Sequence, residues 1–303
     1  MPRTIEKIRL GSRTIQLSNA EKVFYPRTGF TKGDMVAYYR AIADVLLPHL
    51  KDRPLTLKRY PEGVEGPFFY EKRCPPYRPE WFKTTKVLRK RDNKHIDFCV
   101  VNDVSSLLWL ANLANLELHV SLSKRSALGR PTSLVFDLDP DPALGVLGSA
   151  KVAHWVRDEL TALGLDSYPK VSGSKGIQLY VPLNTKVTYS ETGPMALAIA
   201  KLVEEKHPDD IVTKQAKELR RKRVLIDWSQ NDDHKTTVCV YSLRARERPT
   251  VSTPVTWAEV ARANRSQDAD LLTFTSDEVL RRVEKSGDLF EPVLKQRQKL
   301  PAL

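Results

Sequence analysis

Cysteine is scarce in this chain: three residues in 303, Cys74, Cys99 and Cys239, far apart and odd in number. Such a set supports neither a disulfide framework nor a zinc knuckle. Long apolar runs are missing as well. The candidate at 107–120 is broken by Asn112, Asn115 and Glu117, so no stretch reaches membrane-spanning length. The opening Met1-Pro-Arg-Thr-Ile-Glu-Lys lacks the apolar core of a secretory signal. There is no G-x-x-x-x-G-K-[ST] loop, no G-x-G-x-x-G after a strand and no H-E-x-x-H, which removes support from P-loop ATPases, dinucleotide oxidoreductases and zinc proteases. Internal repeats and low-complexity tracts are also lacking. What is present, 41% hydrophobic and 8% aromatic residues, suffices for a real core and reads as a globular cytoplasmic protein with no membrane partner.

The charge is one-sided. Lys and Arg total 49 against 37 Asp and Glu, a net +12 that favours a polyanionic partner through attraction and counterion release. The positive residues are bunched. Six lie in 83–94 (Lys83, Lys86, Arg89, Lys90, Arg91, Lys94) and six in 214–223 (Lys214, Lys217, Arg220, Arg221, Lys222, Arg223). Arg244, Arg246 and Arg248 follow at alternate positions. Rings stand beside other basic positions, as in Lys58-Arg59-Tyr60 and Phe68-Phe-Tyr-Glu-Lys-Arg73, a mixture that suits a phosphate backbone with bases stacked nearby. Any one cluster alone reads equally well as a solvated helix face.

The periodicities outline an α+β chain. Thr31 and Asp34 form a capping box for a helix that carries Met35, Tyr38, Tyr39, Ile42 and Leu46 on one stripe and stops at Pro48. A second helix follows Asp103, with Leu107, Leu110, Ala111, Ala114 and Leu118 at helical spacing. Then come a strand at 133–138, a helix at 149–163 closed by Gly164, strands at 168–171 and 177–181, a helix at 194–206, and strands at 224–228 and 237–241. The first six of these have the order β-α-β-β-α-β, the split-βαβ or ferredoxin-like plan. One domain over 1–303 is expected, with an N-terminal DNA-binding module at 1–125, a catalytic core at 130–250 and a helical appendage at 251–303.

Within Leu134-Val-Phe-Asp-Leu-Asp139, strand alternation puts Asp137 and Asp139 opposite to Leu134, Phe136 and Leu138. The helices of a split-βαβ unit cover one face, so the two carboxylates fall on the open face. Its strand order, 4-1-3-2, lays the fourth strand, with Asp227, antiparallel beside the first. Three acids converging there repel one another unless cations are bound. Two Mg²⁺ or Mn²⁺ ions on such oxygens suit phosphoryl transfer. The turn Ser172-Gly-Ser-Lys-Gly176 falls at the same end, its backbone amides, hydroxyls and Lys175 suited to an anion. His119 lies opposite in parity to Leu118 and Val120 and can point into a site, a structural histidine being the other reading. His234 lies in a loop without ligand spacing.

These motifs resemble the polymerase domain of bacterial ligase D, a branch of the archaeo-eukaryotic primase superfamily. The resemblance runs from Leu17 to Leu289. It rests on Leu17-Ser-Asn-Ala-Glu-Lys-Val-Phe-Tyr-Pro26, Leu57-Lys-Arg-Tyr-Pro61, Phe68-Phe-Tyr-Glu-Lys72, Leu116-Glu-Leu-His-Val120, Phe136-Asp-Leu-Asp-Pro140, Ser172-Gly-Ser-Lys-Gly176, Ile226-Asp-Trp-Ser-Gln-Asn231 and Tyr241-Ser-Leu-Arg244. It implies Asp137, Asp139 and Asp227 as metal-binding catalytic residues. Lys58, His119, Ser172, Lys175, Gln230 and Arg244 are implied as the nucleotide site. Asn19, Lys22 and Lys32 match a pocket for a 5′-phosphate across a gap, Phe68 and Phe69 a pair stacking near the templating base, and Arg220 a loop that engages the primer 3′ end. Ala245 stands where relatives have Gly, and the 83–98 loop matches loosely.

The family implies a template-directed nucleotidyltransferase that fills short gaps in broken or gapped double-stranded DNA in repair. It would take NTP or dNTP, prefer Mn²⁺ over Mg²⁺ in a two-ion site, and use ribonucleotides readily. Ligase and phosphoesterase segments are absent from the 303 residues, which reads either as a stand-alone form or as a domain excised from a longer protein, working in the bacterial cytoplasm at the nucleoid with end-joining or other repair proteins, including a separate ligase in the stand-alone case. A replication-type primase and a non-catalytic DNA-end binding protein are the alternative readings.

Overall fold

Strict alternation makes Ser133–Pro140 a strand, and its apolar set Leu134, Phe136 and Leu138 is fully buried. The structure, a computed structural model, describes residues 5–89 and 92–302. Lys90 and Arg91 of the first basic run lie outside these residues, as do residues 1–4. Ser133–Pro140 sits inside a six-stranded sheet ordered Ile211–Val212, Val224–Asp227, Ser133–Pro140, Ile177–Pro182, Tyr168–Val171 and Thr253–Pro254. The middle four strands are antiparallel neighbours in the order four, one, three, two of the split-βαβ plan, as expected. Helices Gly145–Ala162 and Tyr189–Lys206 bury Val152, Val156, Leu160, Ile199 and Val203 on the same apolar core as Leu134, Phe136 and Leu138. The second helix starts earlier than Pro194 because Thr188 and Glu191 form a capping box ahead of it.

The carboxylate face is not open along its whole length. Val135 and Tyr180 on that face belong to the other core, shared with Leu116, Leu118, Val240 and Phe290, and the Tyr180 hydroxyl meets Thr237 Oγ1 at 2.8 Å. Thr237–Val238 does not extend the six-stranded sheet that holds Ser133–Pro140. It pairs with Asn115–Val120 at the edge of a second sheet ordered Thr237–Val238, Asn115–Val120, Leu55–Arg59, Lys94–Cys99 and Thr84–Arg89, with Phe69–Glu71 also on Leu55–Arg59. In this sheet Leu55, Leu57, Leu116 and Leu118 join Met35, Tyr39 and Leu107 in one apolar core. Thr56, Lys58, Glu117 and His119, on the alternate side, are left for the space between the sheets.

Helix ends differ from the sequence reading for physical reasons. The Thr31 capping box is present, yet the first helix ends at Ala41 and a second, Ala43–Leu50, carries Pro48 inside it. Complete burial of Leu46 and Leu50, about 1.5–3 kcal/mol each, offsets a proline cost of about 3 kcal/mol. After Asp103 the helix stops at Asn112 rather than running on to Leu118, because Ala114 adopts a left-handed backbone (φ 61°) and turns the chain into the strand Asn115–Val120. A loop docked on the strand Lys94–Cys99 also corrects the cysteine reading. Cys74 N donates to Asp97 O at 2.6 Å, bringing Cys74 and Cys99, 25 residues apart, into a disulfide; Cys239 stays free and buried. Among the described residues no helix is long and apolar enough to cross a membrane.

A buried polar latch ties the C-terminal segment to both layers. His49 Nε2 meets Asp288 Oδ2 at 2.8 Å, and Tyr241 donates its hydroxyl to Asp288 Oδ1 at 2.7 Å. Burial pushes the Asp288 carboxyl up, but the combined pull of the His49 and Tyr241 contacts holds it below its ordinary value. A depressed acid stabilises the fold above the unfolded-state pKa, about 3.9, and loses that contribution as pH falls through the folded value. Asp288→Asn is therefore expected to cost roughly 2 kcal/mol at pH 7 in urea unfolding, and to flatten the loss of stability below about pH 4.

Candidate active site

Antiparallel register sets Asp137 directly opposite Asp227, with Asp139 two residues further along the same face. The row continues across the sheet through Gln178, opposite Asp137, to Lys170, opposite Gln178. Burial pushes the Asp137 carboxyl up to about 6, and the neighbouring Asp227 adds to this; Gln178, by hydrogen bond, and Lys170, by charge, pull the other way. Lys170 is fully buried, its ammonium donating to Ser252 Oγ at 2.7 Å, and burial lowers it to about 7.

The three carboxylates share one end of the face, but each is turned to its own partners. Asp139 faces Lys175 Nζ at 3.4 Å and Arg220 Nη1 at 3.5 Å. Asp227 Oδ1 accepts from Gln215 Nε2 at 2.9 Å and Ser229 Oγ at 2.6 Å, and its Oδ2 from Gln230 Nε2 at 2.7 Å. Among the described residues, the acidic group whose ligand atoms all come within 4.8 Å of one another is Asp232, Asp233 and His234, which sequence spacing does not reveal. That contact is already satisfied within itself, since His234 Nδ1 meets Asp232 at 2.6 Å and Asp233 at 2.8 Å. Among the described residues the oxygens of Asp137, Asp139 and Asp227 do not all lie within 4.8 Å of one another, so the site fits divalent cations by its donor type, hard carboxylate oxygens at neighbouring ends of two paired strands, rather than as a closed cage.

Asp137 and Asp139 line a cavity of about 530 Å³ between the sheets, together with His119, Ser172, Lys175, Gln230 and Arg244. The Ser172–Gly176 turn is tightly built. Ser172 Oγ accepts from Ser174 N at 3.3 Å and Gly176 N at 3.2 Å, while Arg244 Nη1 donates to Ser172 O at 2.5 Å. Gly173 has φ +70°, and a Cβ there would lie 2.6 Å from the Val251 carbonyl; one on Gly176 would lie 2.5 Å from Leu138 O. Lys58 does not line the cavity; its ammonium reaches Glu117 Oε1 at 3.4 Å. Phe68 lies over that ammonium at 4.4 Å and Phe69 over the Arg59 guanidinium at 5.1 Å, both rings about half exposed.

Asn19, Lys22 and Lys32 meet outside the cavity, where Lys22 N donates to Asn19 O and Lys32 N to Lys22 O, at 3.1 and 2.8 Å. The Lys32 ammonium is buried and donates to Ser18 O and Asn112 Oδ1, at 2.7 and 2.8 Å, and the Lys22 ammonium holds Glu62 at 2.6 Å. Sequence reasoning missed Glu117, Gln178 and Lys170. The signal for Glu117 was present, since it shares strand parity with His119; the other two required the sheet register.

The LigD primase-polymerase domain family matches residues 31–290. The Mycolicibacterium smegmatis "Multifunctional non-homologous end joining protein LigD" is 38% identical over 281 residues, covering 92% of this chain and 36% of that protein. The Bacillus subtilis "Bifunctional non-homologous end joining protein LigD" is 34% identical over 274 residues, covering 90% and 43%. The chain thus spans well under half of the length of these relatives. Among solved structures, the "Polymerase Domain from Mycobacterium tuberculosis Ligase D in complex with DNA" matches with a TM-score of 0.85 and 37% identity, over 94% of this chain and 99% of that one.

The glycine geometry makes a direct prediction. Gly173→Ala should lower stability by roughly 1–3 kcal/mol in urea unfolding, because its Cβ meets backbone. Gly129→Ala, with nothing within 4 Å of its Cβ, should change it by no more than about 0.5 kcal/mol.

Proposed function

The chain belongs to the LigD primase-polymerase family of nucleotidyltransferases, and on that premise we propose that it extends a primer across short gaps in double-stranded DNA during end-joining repair. The observation that carries this reading is the register that sets Asp137 opposite Asp227, with Asp137, Asp139 and the Ser172–Gly176 turn lining one cavity. In the reaction the primer 3′-oxygen forms a bond to the α-phosphorus, the bond to the bridging β-oxygen breaks, and pyrophosphate leaves. Divalent cations held by Asp137, Asp139 and Asp227, Mn²⁺ in our reading, would offset charge on the phosphates and favour the attacking oxygen as its alkoxide. Lys175 and Arg244 bind the triphosphate, the Ser172 turn offers it hydroxyl and backbone donors, His119 completes that floor, and Lys58, held on Glu117 outside the cavity lining, would reach the triphosphate from there. Gln230 holds Asp227 in place.

Arg220, facing Asp139 at 3.5 Å, would meet the primer end, and the exposed Phe68 and Phe69 rings would stack near the templating base. Lys22 would exchange its exposed contact with Glu62 for the 5′-phosphate of the downstream strand, with Asn19 and Lys32 shaping that turn. We take 1–303 as one working domain that accepts ribonucleotides as well as deoxynucleotides.

Extension of a one-nucleotide gapped duplex with Mn²⁺, with and without a downstream 5′-phosphate and with ribo- or deoxynucleotides, tests this reading. Asp139→Ala should abolish incorporation, by about 10³-fold or more, while DNA affinity measured by fluorescence anisotropy stays within about twofold. Loss of binding with surviving incorporation would refute the assignment. Lys22→Ala should weaken work on phosphorylated gaps by about tenfold and leave unphosphorylated gaps unchanged; equal losses on both would remove the pocket.

A further inference from the structure

We propose that Glu117 is the positioning residue of the nucleotide site, a buried carboxylate that holds Lys58, His119 and Arg244 where a triphosphate can meet them. This inference rests on the function proposed above. Glu117 is 2% exposed, and a carboxylate so deeply placed is costly unless fully partnered. Its partners come from three separate elements. His119 Nε2, two residues along its own strand, meets Oε2 at 3.0 Å. Lys58, opposite Glu117 in the sheet register, brings its ammonium to Oε1 at 3.4 Å. From the hairpin strand Leu243–Ala245, Ala245 N donates to Oε1 at 3.0 Å and Arg244 Nε stands 3.4 Å away. Burial pushes the carboxyl upward, yet the His119 hydrogen bond with the Arg244 and Lys58 charges holds it well below the usual carboxylate range.

Two of these partners, Arg244 and Lys58, also have a second attachment that carries the placement outward. Arg244 Nη1 donates to Ser172 O, so Glu117 is linked to the Ser172–Gly176 turn. Lys58 lies between the carboxylate and three rings, Phe68 at 4.4 Å, Tyr60 at 5.2 Å and Tyr70 at 5.5 Å. One carboxylate therefore connects the cationic floor of the cavity to the exposed aromatic ribbon beside it. Stability alone does not account for such a network, because an apolar side chain of similar volume generally serves a core as well or better. Without the carboxylate, Lys58 is desolvated beside Arg244 with no counter-charge, and it either gives up its proton or turns away. Both outcomes remove a cation from the triphosphate.

The test is steady-state incorporation on a primed one-nucleotide gap with Mn²⁺, varying the nucleoside triphosphate, for wild type, Glu117→Gln, Lys58→Met and the double variant, with DNA affinity and thermal midpoint measured alongside. Glu117→Gln should raise the nucleotide KM about tenfold and change kcat by less than about threefold, with DNA affinity within about twofold of wild type. Combined with Lys58→Met it should raise KM by clearly less than the product of the two single effects, since part of the Glu117 effect acts through Lys58. An unchanged KM in a folded Glu117→Gln, or fully additive losses in the double variant, overturns the inference. If Glu117→Gln does not fold, Glu117→Asp replaces it; the withdrawn carboxylate should give an intermediate KM, and an unchanged KM overturns the inference equally. A wild-type protein that incorporates no nucleotide defeats the proposed function instead, a result distinct from either.

Discussion

Two carboxylates set face to face on neighbouring antiparallel strands repel, and the pairing of Asp137 with Asp227 is the constraint around which the rest of this molecule is arranged. A sheet tolerates it only where countercharge is close. The row through Gln178 to the buried Lys170 supplies part of that charge from inside the sheet, and Lys175 and Arg220 supply more at Asp139 from the rim. Burial is the main cause that pushes the Asp137 carboxyl up, and the facing Asp227 adds to it. A negative site beside a basic cavity wall is the electrostatic form expected of a place that takes cations together with a polyphosphate.

The same face serves both stability and chemistry by dividing its length. Toward one end Val135 and Tyr180 are sealed by apolar side chains of the second core; toward the other, alternation leaves only polar groups, and the cavity opens there. The facing sheet is divided likewise, with Leu57 and Leu118 turned to helices and Lys58, Glu117 and His119 turned inward. Asp137, Asp139 and Asp227 lie on one sheet and Lys58 and His119 on the facing one, while Lys175 and Arg220 meet Asp139 at its rim. The latch of His49, Tyr241 and Asp288 supports this geometry at a distance, since Phe290 beside it packs on Tyr180 at 5.1 Å.

Much of the catalytic sheet was legible in the chain. The period-two pattern of Leu134-Val-Phe-Asp-Leu-Asp139 and the turn residues of 172–176 are local signals, and handed topology rules then put the fourth strand beside the first. What failed was set by partners far away in sequence. Leu118 fits a helical spacing but belongs to a strand, because the left-handed Ala114 turns the chain before it. Thr237 and Val238 carry no mark saying which of two sheets they join. Cys74 and Cys99 are brought together by a loop hydrogen-bonded to the strand Lys94–Cys99, a contact that neither neighbourhood foretells. Pro48 signals a stop that burial of Leu46 and Leu50 overrides.

By itself, then, the amino-acid order determined which side of each strand is acidic, where the helices are capped, and which family the motifs resemble, because alternation, capping and turn chemistry act over a few residues. Only the tertiary structure decided that Glu117 would gather Lys58, His119 and Arg244, and that Lys170 would lie buried in line with Asp137. Contacts between separate strands depend on register, and register is set by the collective burial of two apolar cores rather than by any residue's neighbours in the chain.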